Sequence, residues 1–203
     1  MGRPSLGPEE VERFRGRLCD LALRRFAEDG YDAVSFRKLA RDLGCSYATP
    51  YRYFRNKADI FAAVRALAYE RLAAALEGAA VGSAGPEEHV RALASGYLRF
   101  AIEQPQAYRI MFELSQPDAV EQSEYLPKQL HAWRVFQEGV RRAVAAGVLS
   151  GDPSRVGHIL WAGLHGLVAL HLAGKLVLGV ELEDLAPPMI DALLDSQRPG
   201  PRT

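Results

Sequence analysis

The sequence predicts an all-α fold, with an N-terminal three-helix head joined to a larger helical body. Three observations predict it. Apolar residues recur at i, i+3, i+4 and i+7 through most of the 203 residues. No stretch of useful length alternates apolar with polar, as a half-buried strand would. Pro, Ser, Asp and Gly stand where helices start and stop.

Pro8 followed by Glu9, Glu10 and Glu12 opens the first helix. Proline loses nothing at the first helical position, and the acids face the positive end of the helix dipole. Val11, Phe14, Leu18, Leu21, Ala22 and Phe26 form its buried stripe, and Gly30 closes it. A second, short helix carries Phe36, Leu39, Ala40 and Leu43 on one face. Ser35 is its expected N-cap, with Val34 and Leu39 at the hydrophobic-staple positions. Gly44 supplies a turn open to positive φ, and a third helix of seven or eight residues is expected from Ser46. Two short helices meeting at a glycine turn form a helix-turn-helix, whose second helix enters the DNA major groove.

Asn56 caps the next helix, with Asp59 at its third position, and Ile60, Phe61, Val64, Leu67, Ala68, Leu72 and Ala75 carry it to about Leu76. Gly78, Gly82, Gly85 and Pro86 break it. Pro86 then opens a helix that ends at Pro105, and a short helix follows around Tyr108, Ile110, Met111 and Phe112. Residues 117–127 read as a polar loop. Leu130, Trp133, Phe136, Val140 and Val144 form another stripe, ending at Gly147. Asp152 and Pro153 cap a strongly apolar helix over 154–173, and 183–194 is the last helix. The tail after Ser196 is expected to be disordered.

The 154–173 helix is apolar nearly all round, so it is expected to be buried on every side. Two arrangements achieve this: a second copy packed against it in a two-fold dimer, or a path through a monomeric core. Glycines 157, 163 and 166 would permit close helix approach.

Composition excludes several classes. No apolar run is long enough to span a membrane, and residues 1–5 do not begin a secretory signal. Cys19 and Cys45 lack metal spacing and read as buried thiols in a reducing cytoplasm. His158 and His165 share a helix face, but no further ligand joins them, so no metal or other cofactor is expected. Enzyme signatures are missing: there is no phosphate loop, no His-Glu-x-x-His and no Gly-x-Ser-x-Gly. Net charge is zero, yet residues 1–57 carry 12 Lys and Arg against 8 Asp and Glu, while 58–203 carry 13 against 17. A basic head on an acidic body suits phosphate binding at one end.

Phe26-Ala27-Glu28-Asp29-Gly30-Tyr31-Asp32-Ala33-Val34-Ser35, then Leu39-Ala40, Leu43-Gly44-Cys45-Ser46 and Tyr51-Arg52-Tyr53-Phe54-Arg55-Asn56-Lys57, resemble the TetR family of bacterial transcriptional regulators over about the first 70 residues. Trp161-Ala162-Gly163-Leu164-His165-Gly166 resembles the Trp-x-x-x-His-Gly signature of a C-terminal type called WHG, as do Gln104-Pro105 and Tyr108–Phe112. Pro50 departs from the Leu most common at its position.

The resemblance implies a homodimer that binds palindromic double-stranded operator DNA through residues 1–57, with the motif at 35–54. Residues 58–203 would bind an effector and dimerise. It places Thr49 and Tyr51 on phosphates or base edges, Tyr47, Ala48 and Arg52 on the groove-facing side, and Lys57 on the backbone. Ser35, Arg37 and Tyr53 are further candidates for DNA contact. Arg3 sits on a Gly- and Pro-rich arm that reads either as a loose terminus or as a minor-groove arm. Tyr97, Tyr108, Met111, Phe112, Trp133, Trp161 and His165 combine apolar bodies with polar tips, and suggest a small apolar or aromatic effector. A competing expectation is a small-molecule carrier or interaction protein that keeps a regulator fold without binding an operator.

Overall fold

The computed structural model describes residues 7–114, 125–177 and 179–200. Among these residues the chain is helical, without strands: α1 (Pro8–Asp29), α2 (Phe36–Asp42), a single 3₁₀ turn (Pro50–Arg52), α3 (Lys57–Ala80), α4 (Pro86–Glu103), α5 (Pro105–Phe112), α6 (Leu126–Ala145), α7 (Pro153–Leu172) and α8 (Leu182–Asp195). Arg3 and most of the polar loop expected over 117–127 lie outside the described residues.

The caps follow side-chain chemistry. The Gly7 N–H donates to the Glu10 carboxylate at 3.0 Å ahead of α1. Ser35 Oγ accepts from the Lys38 N–H at 3.3 Å, while Val34 and Leu39 close the staple at 3% and 0% exposure. Asn56 Oδ1 accepts from the Asp59 N–H at 2.9 Å, and Asp152 Oδ2 from the Arg155 N–H at 2.8 Å.

The chain forms two compact units. The first holds residues 1–69 and 106–128, so α3 carries it past residue 57 and α5 returns to it. Its core is built from Leu18, Ala22, Phe26, Leu39, Ile60, Phe61, Tyr108 and Ile110, all buried. Phe26, Tyr31 and Phe61 form an aromatic knot with centroid separations of 4.9 to 5.7 Å. Full burial of Phe26 and Phe61 contributes about 1.5–3 kcal/mol each.

The second unit holds residues 70–105 and 129–203, where α4, α7 and α8 pack together. The close approaches are at glycines. A Cβ at Gly139 would lie 2.3 Å from Leu93, one at Gly157 2.1 Å from Gln137, and one at Gly163 2.6 Å from Leu193.

Two expectations change here, on the glycines and on the tail. In the single chain α7 leaves Arg155, His158, Ala162, Gly166 and Leu170, spaced three or four apart, exposed, which argues against a path wholly through a monomeric core and leaves packing against a second copy as the expectation. Gly157 and Gly163 serve packing within the chain, and only Gly166 of the three faces open space. Just past Ser196, Gln197 and Arg198 are fastened, because the Ser150 N–H donates to Gln197 O at 2.8 Å and the Arg198 guanidinium binds Asp195 and Glu87. Ser150 and Glu87 are far from the tail in sequence, so no local pattern announces these ties.

Candidate nucleic-acid interface and the aromatic clusters of the body

The segment from Gly44 to Phe54 is built on the end of α2. Gly44 takes φ +67°, the Cys45 N–H donates to Ala40 O at 2.9 Å, and the Gly44 N–H donates to Arg41 O at 3.1 Å. These are the two bonds of a Schellman stop, which turns the chain sharply out of α2. Ser46 starts a turn instead of the expected seven- or eight-residue helix, and only Pro50–Arg52 is helical, as 3₁₀. Pro50 explains the difference. It has no N–H to give Ser46 O, and its ring crowds that carbonyl. Ser46 O takes the Thr49 N–H at 2.8 Å instead, and i→i+3 bonds continue from Arg52 to Thr49 and from Tyr53 to Pro50, both at 3.0 Å.

This segment presents Tyr47 at 72% exposure and Tyr51 at 60%, with Ala48 and Arg52 also exposed and Thr49 half-buried. Pro50 and Phe54 are buried beneath them. The Tyr51 ring rests edge-on against Phe36 at 4.7 Å, so its direction is set by the core of α2. Tyr53 is half-buried and its ring stacks on Phe14 at 5.0 Å. Arg37 and Arg52 are exposed and make no ion pair among the described residues.

The neighbouring charges are engaged within the fold. The Arg55 guanidinium forks onto Asp59 at 2.7 and 2.9 Å, and these hydrogen bonds hold the Asp59 carboxyl below its ordinary value. Burial raises the Asp42 carboxyl, but hydrogen bonds from Arg41 and Arg25 outweigh it and bring it below the ordinary value. Arg25 to Asp42, at 2.8 Å, thereby ties α1 to α2. Lys57 Nζ turns inward, donating to Tyr31 O at 3.1 Å and Asp32 O at 3.5 Å. Sequence reasoning missed the Arg25–Asp42 tie and the bond from Lys38 Nζ to Ala33 O at 2.6 Å, since neither follows a helical spacing.

The seven body residues fall into two groups. Tyr108, Met111 and Phe112 belong to the first unit, where Phe112 lies between Tyr108 and Tyr69, at 4.8 and 6.3 Å by ring centroids, and burial pushes the Tyr69 hydroxyl up to about 12. There the Arg65 guanidinium, missed from sequence, donates to Ile110 O and Leu114 O at 3.1 and 2.6 Å and closes the end of α5. Tyr97, Trp133, Trp161 and His165 belong to the second unit. The Tyr97 hydroxyl lies 3.3 Å from His165 Nδ1, and Trp161 lies 5.5 Å from His165 and 6.1 Å from Trp133 by ring centroids. His158 extends the cluster, 4.6 Å from Trp133. Gln137, one turn beyond Trp133, has its Oε1 buried without a hydrogen-bond partner among the described residues. Cys45 is half-buried, in contrast to the buried Cys19.

Among the described residues, no group of three or more His, Cys, Asp or Glu side chains could hold a metal ion, and no helix is long and apolar enough to cross a membrane.

The profile described as bacterial regulatory proteins, tetR family, matches residues 18–64. The profile described as tetracyclin repressor-like, C-terminal domain, matches 90–193, which contains Trp161, His165 and Gly166. The HTH-type transcriptional repressor KstR of Mycolicibacterium smegmatis is 28% identical over 90 residues, 44% of either chain, so the match spans less than half of that relative's length. A Rhodococcus sp. RHA1 protein of unknown function superposes with a TM-score of 0.80 at 27% identity, covering 91% of this chain and 95% of the other. The TetR family transcriptional regulator PfmR of Thermus thermophilus does so with a TM-score of 0.70 at 25% identity, covering 88% and 97%. With head and body both matched, the C-terminal profile alone over about half its length, the chain belongs to the TetR family of bacterial transcriptional regulators.

Proposed function

We propose that the chain is a ligand-responsive transcriptional repressor that binds a palindromic operator as a homodimer in the cytoplasm. The observation that carries this reading is the solvent-facing segment Tyr47, Ala48, Thr49, Tyr51 and Arg52, aimed outward by a glycine stop and anchored by buried Pro50 and Phe54. Hydroxyls of Thr49 and Tyr51 suit phosphate oxygens and fix register, while Arg52 can fork onto a guanine edge. Arg37, at the start of α2, adds a cation for the backbone. Residues 1–57 act as the reading head, and 58–203 bind effector and dimerise.

A segment this short specifies little alone, so a second copy is needed at the spacing of one DNA turn. The exposed small-residue strip of α7 supports self-association. Tyr97, Trp133, Trp161 and His165 suit a small apolar or aromatic effector, one that favours the conformation whose heads mismatch the operator.

The test is a binding titration of the full chain against the DNA upstream of its own coding region and against a scrambled duplex, across salt. Specific binding with a steep negative slope of log affinity on log salt supports the reading. Equal affinity for both duplexes overturns it and leaves a carrier or interaction protein on a regulator fold.

A further inference from the structure

Asp42 is the last residue of α2, just ahead of Gly44, where the chain turns away into the exposed segment. Both of its carboxylate oxygens are engaged. Oδ2 accepts from Arg25 Nε at 3.0 Å and lies 2.8 Å from Arg25 Nη2, while Oδ1 accepts from Arg41 Nε at 3.2 Å. Arg25 stands on α1 immediately before Phe26, which is fully buried against Phe61. One end of the tie is therefore rooted in the core, and the other at the exit from α2.

A cavity of about 100 Å³ lies between the two helices here. Its lining is mostly charged, with Asp29 and Lys38 beside Arg25, Arg41 and Asp42, and the remaining two residues, Val34 and Leu39, are apolar. Across a void there are no partner atoms for dispersion attraction, so the ion pair joins α1 to α2 where packing does not. Arg25 also lies 3.9 Å from Asp29, but that pair stays within α1. A guanidinium is a rigid fork, so its hold on a carboxylate sets direction as well as distance. The stop bonds, from the Gly44 N–H to Arg41 O and from the Cys45 N–H to Ala40 O, hang on the helix end held in this way.

On charge alone, a carboxylate in the head opposes binding to a polyanion. We infer that Arg25 and Asp42 form a positioning pair for DNA reading: they fix the end of α2 against α1, and with it the direction in which Tyr47 to Arg52 leave, so that removing the carboxylate weakens operator binding even though it takes negative charge off the head. The inference rests on the DNA-binding reading above and assigns within it how the segment is aimed.

The test uses the full chain as Arg25→Met, Asp42→Ala and the double variant, each shown to be folded by a thermal melt. Alanine favours a helix more than aspartate does, so α2 itself is not weakened by the change. Each single variant should bind the chain's own upstream duplex about tenfold more weakly, and the double variant no more weakly than either, because a shared interaction is lost only once. Asp42→Ala should bind a random-sequence duplex at least as tightly as wild type does. Without DNA, amide hydrogen exchange at Gly44 and Cys45 should be faster in both single variants.

An Asp42→Ala chain that holds the upstream duplex as tightly as wild type, or more tightly, overturns the inference. So do losses that multiply in the double variant, which would mean that the two residues act separately, and so does unchanged exchange at Gly44 and Cys45. If Asp42→Ala does not fold, Asp42→Ser carries the same comparison. Failure of the wild-type chain to bind either duplex would count against the regulator reading, and the exchange result would still decide whether the pair holds the exit from α2.

Discussion

Two arginines on one turn of α6 hold the Glu138 carboxyl down to about 2, through hydrogen bonds from Arg141 and then Arg142. A folded-state value below the ordinary 4.5 means the stabilisation is present above pH 4.5 and is lost as pH falls from there towards 2. The group is exposed, so the effect is small. Thermal melts of wild type and Glu138→Gln should therefore differ slightly at pH 7 and converge near pH 2. A gap that does not narrow would show that the arginines do not stabilise the carboxylate. Ser35 illustrates how a residue's role divides. Its hydroxyl caps α2, so Ser35→Ala should cost about 1 kcal/mol of stability in denaturant unfolding. A variant of undiminished stability would reassign the hydroxyl to another purpose, DNA contact included.

At the scale of the element, the reading segment is the place where local and tertiary rules diverge. Pro50 converts an expected α-helix into turns and a 3₁₀ turn, yet it is buried and the segment still ends on buried Phe54. Pro50→Leu should change operator affinity by less than about threefold in either direction, read from a titration. A gain of tenfold or more would mark the proline as an impairment. Legibility followed the same line. Helix starts were readable wherever a cap or a first-turn proline is local, as at Pro8, Ser35, Asn56, Pro86 and Asp152. The end of α2 was readable because Gly44 is the residue that takes positive φ without strain. What could not be read depends on partners distant in sequence. Lys57 folding onto Tyr31, Arg65 closing α5, and Arg198 reaching Glu87 are long-range polar contacts with no periodic signature. The body aromatics were recognisable as a set, but helical spacing cannot show that α5 joins the first unit while α7 belongs to the second.

At the scale of the whole molecule, α7 carries the proposed assembly. Ala162, Gly166 and Leu170 form an exposed strip that no described residue of the same chain covers, while Gly157 and Gly163 are spent on internal packing. Replacing Ala162 with Arg should leave the fold intact and shift the chain from dimer to monomer in sedimentation or light scattering. It should also weaken operator binding, since each head alone reads too little. A variant that remains dimeric would move the interface elsewhere. Whether two copies of residues 35–57 read DNA together is decided by footprinting the full chain on the DNA upstream of its own coding region. Two protected half-sites related by two-fold symmetry, about 34–36 Å apart centre to centre, are expected, and Arg52→Ala should abolish them. Protection without localisation, or a footprint indifferent to Arg52, would contradict reading by two copies.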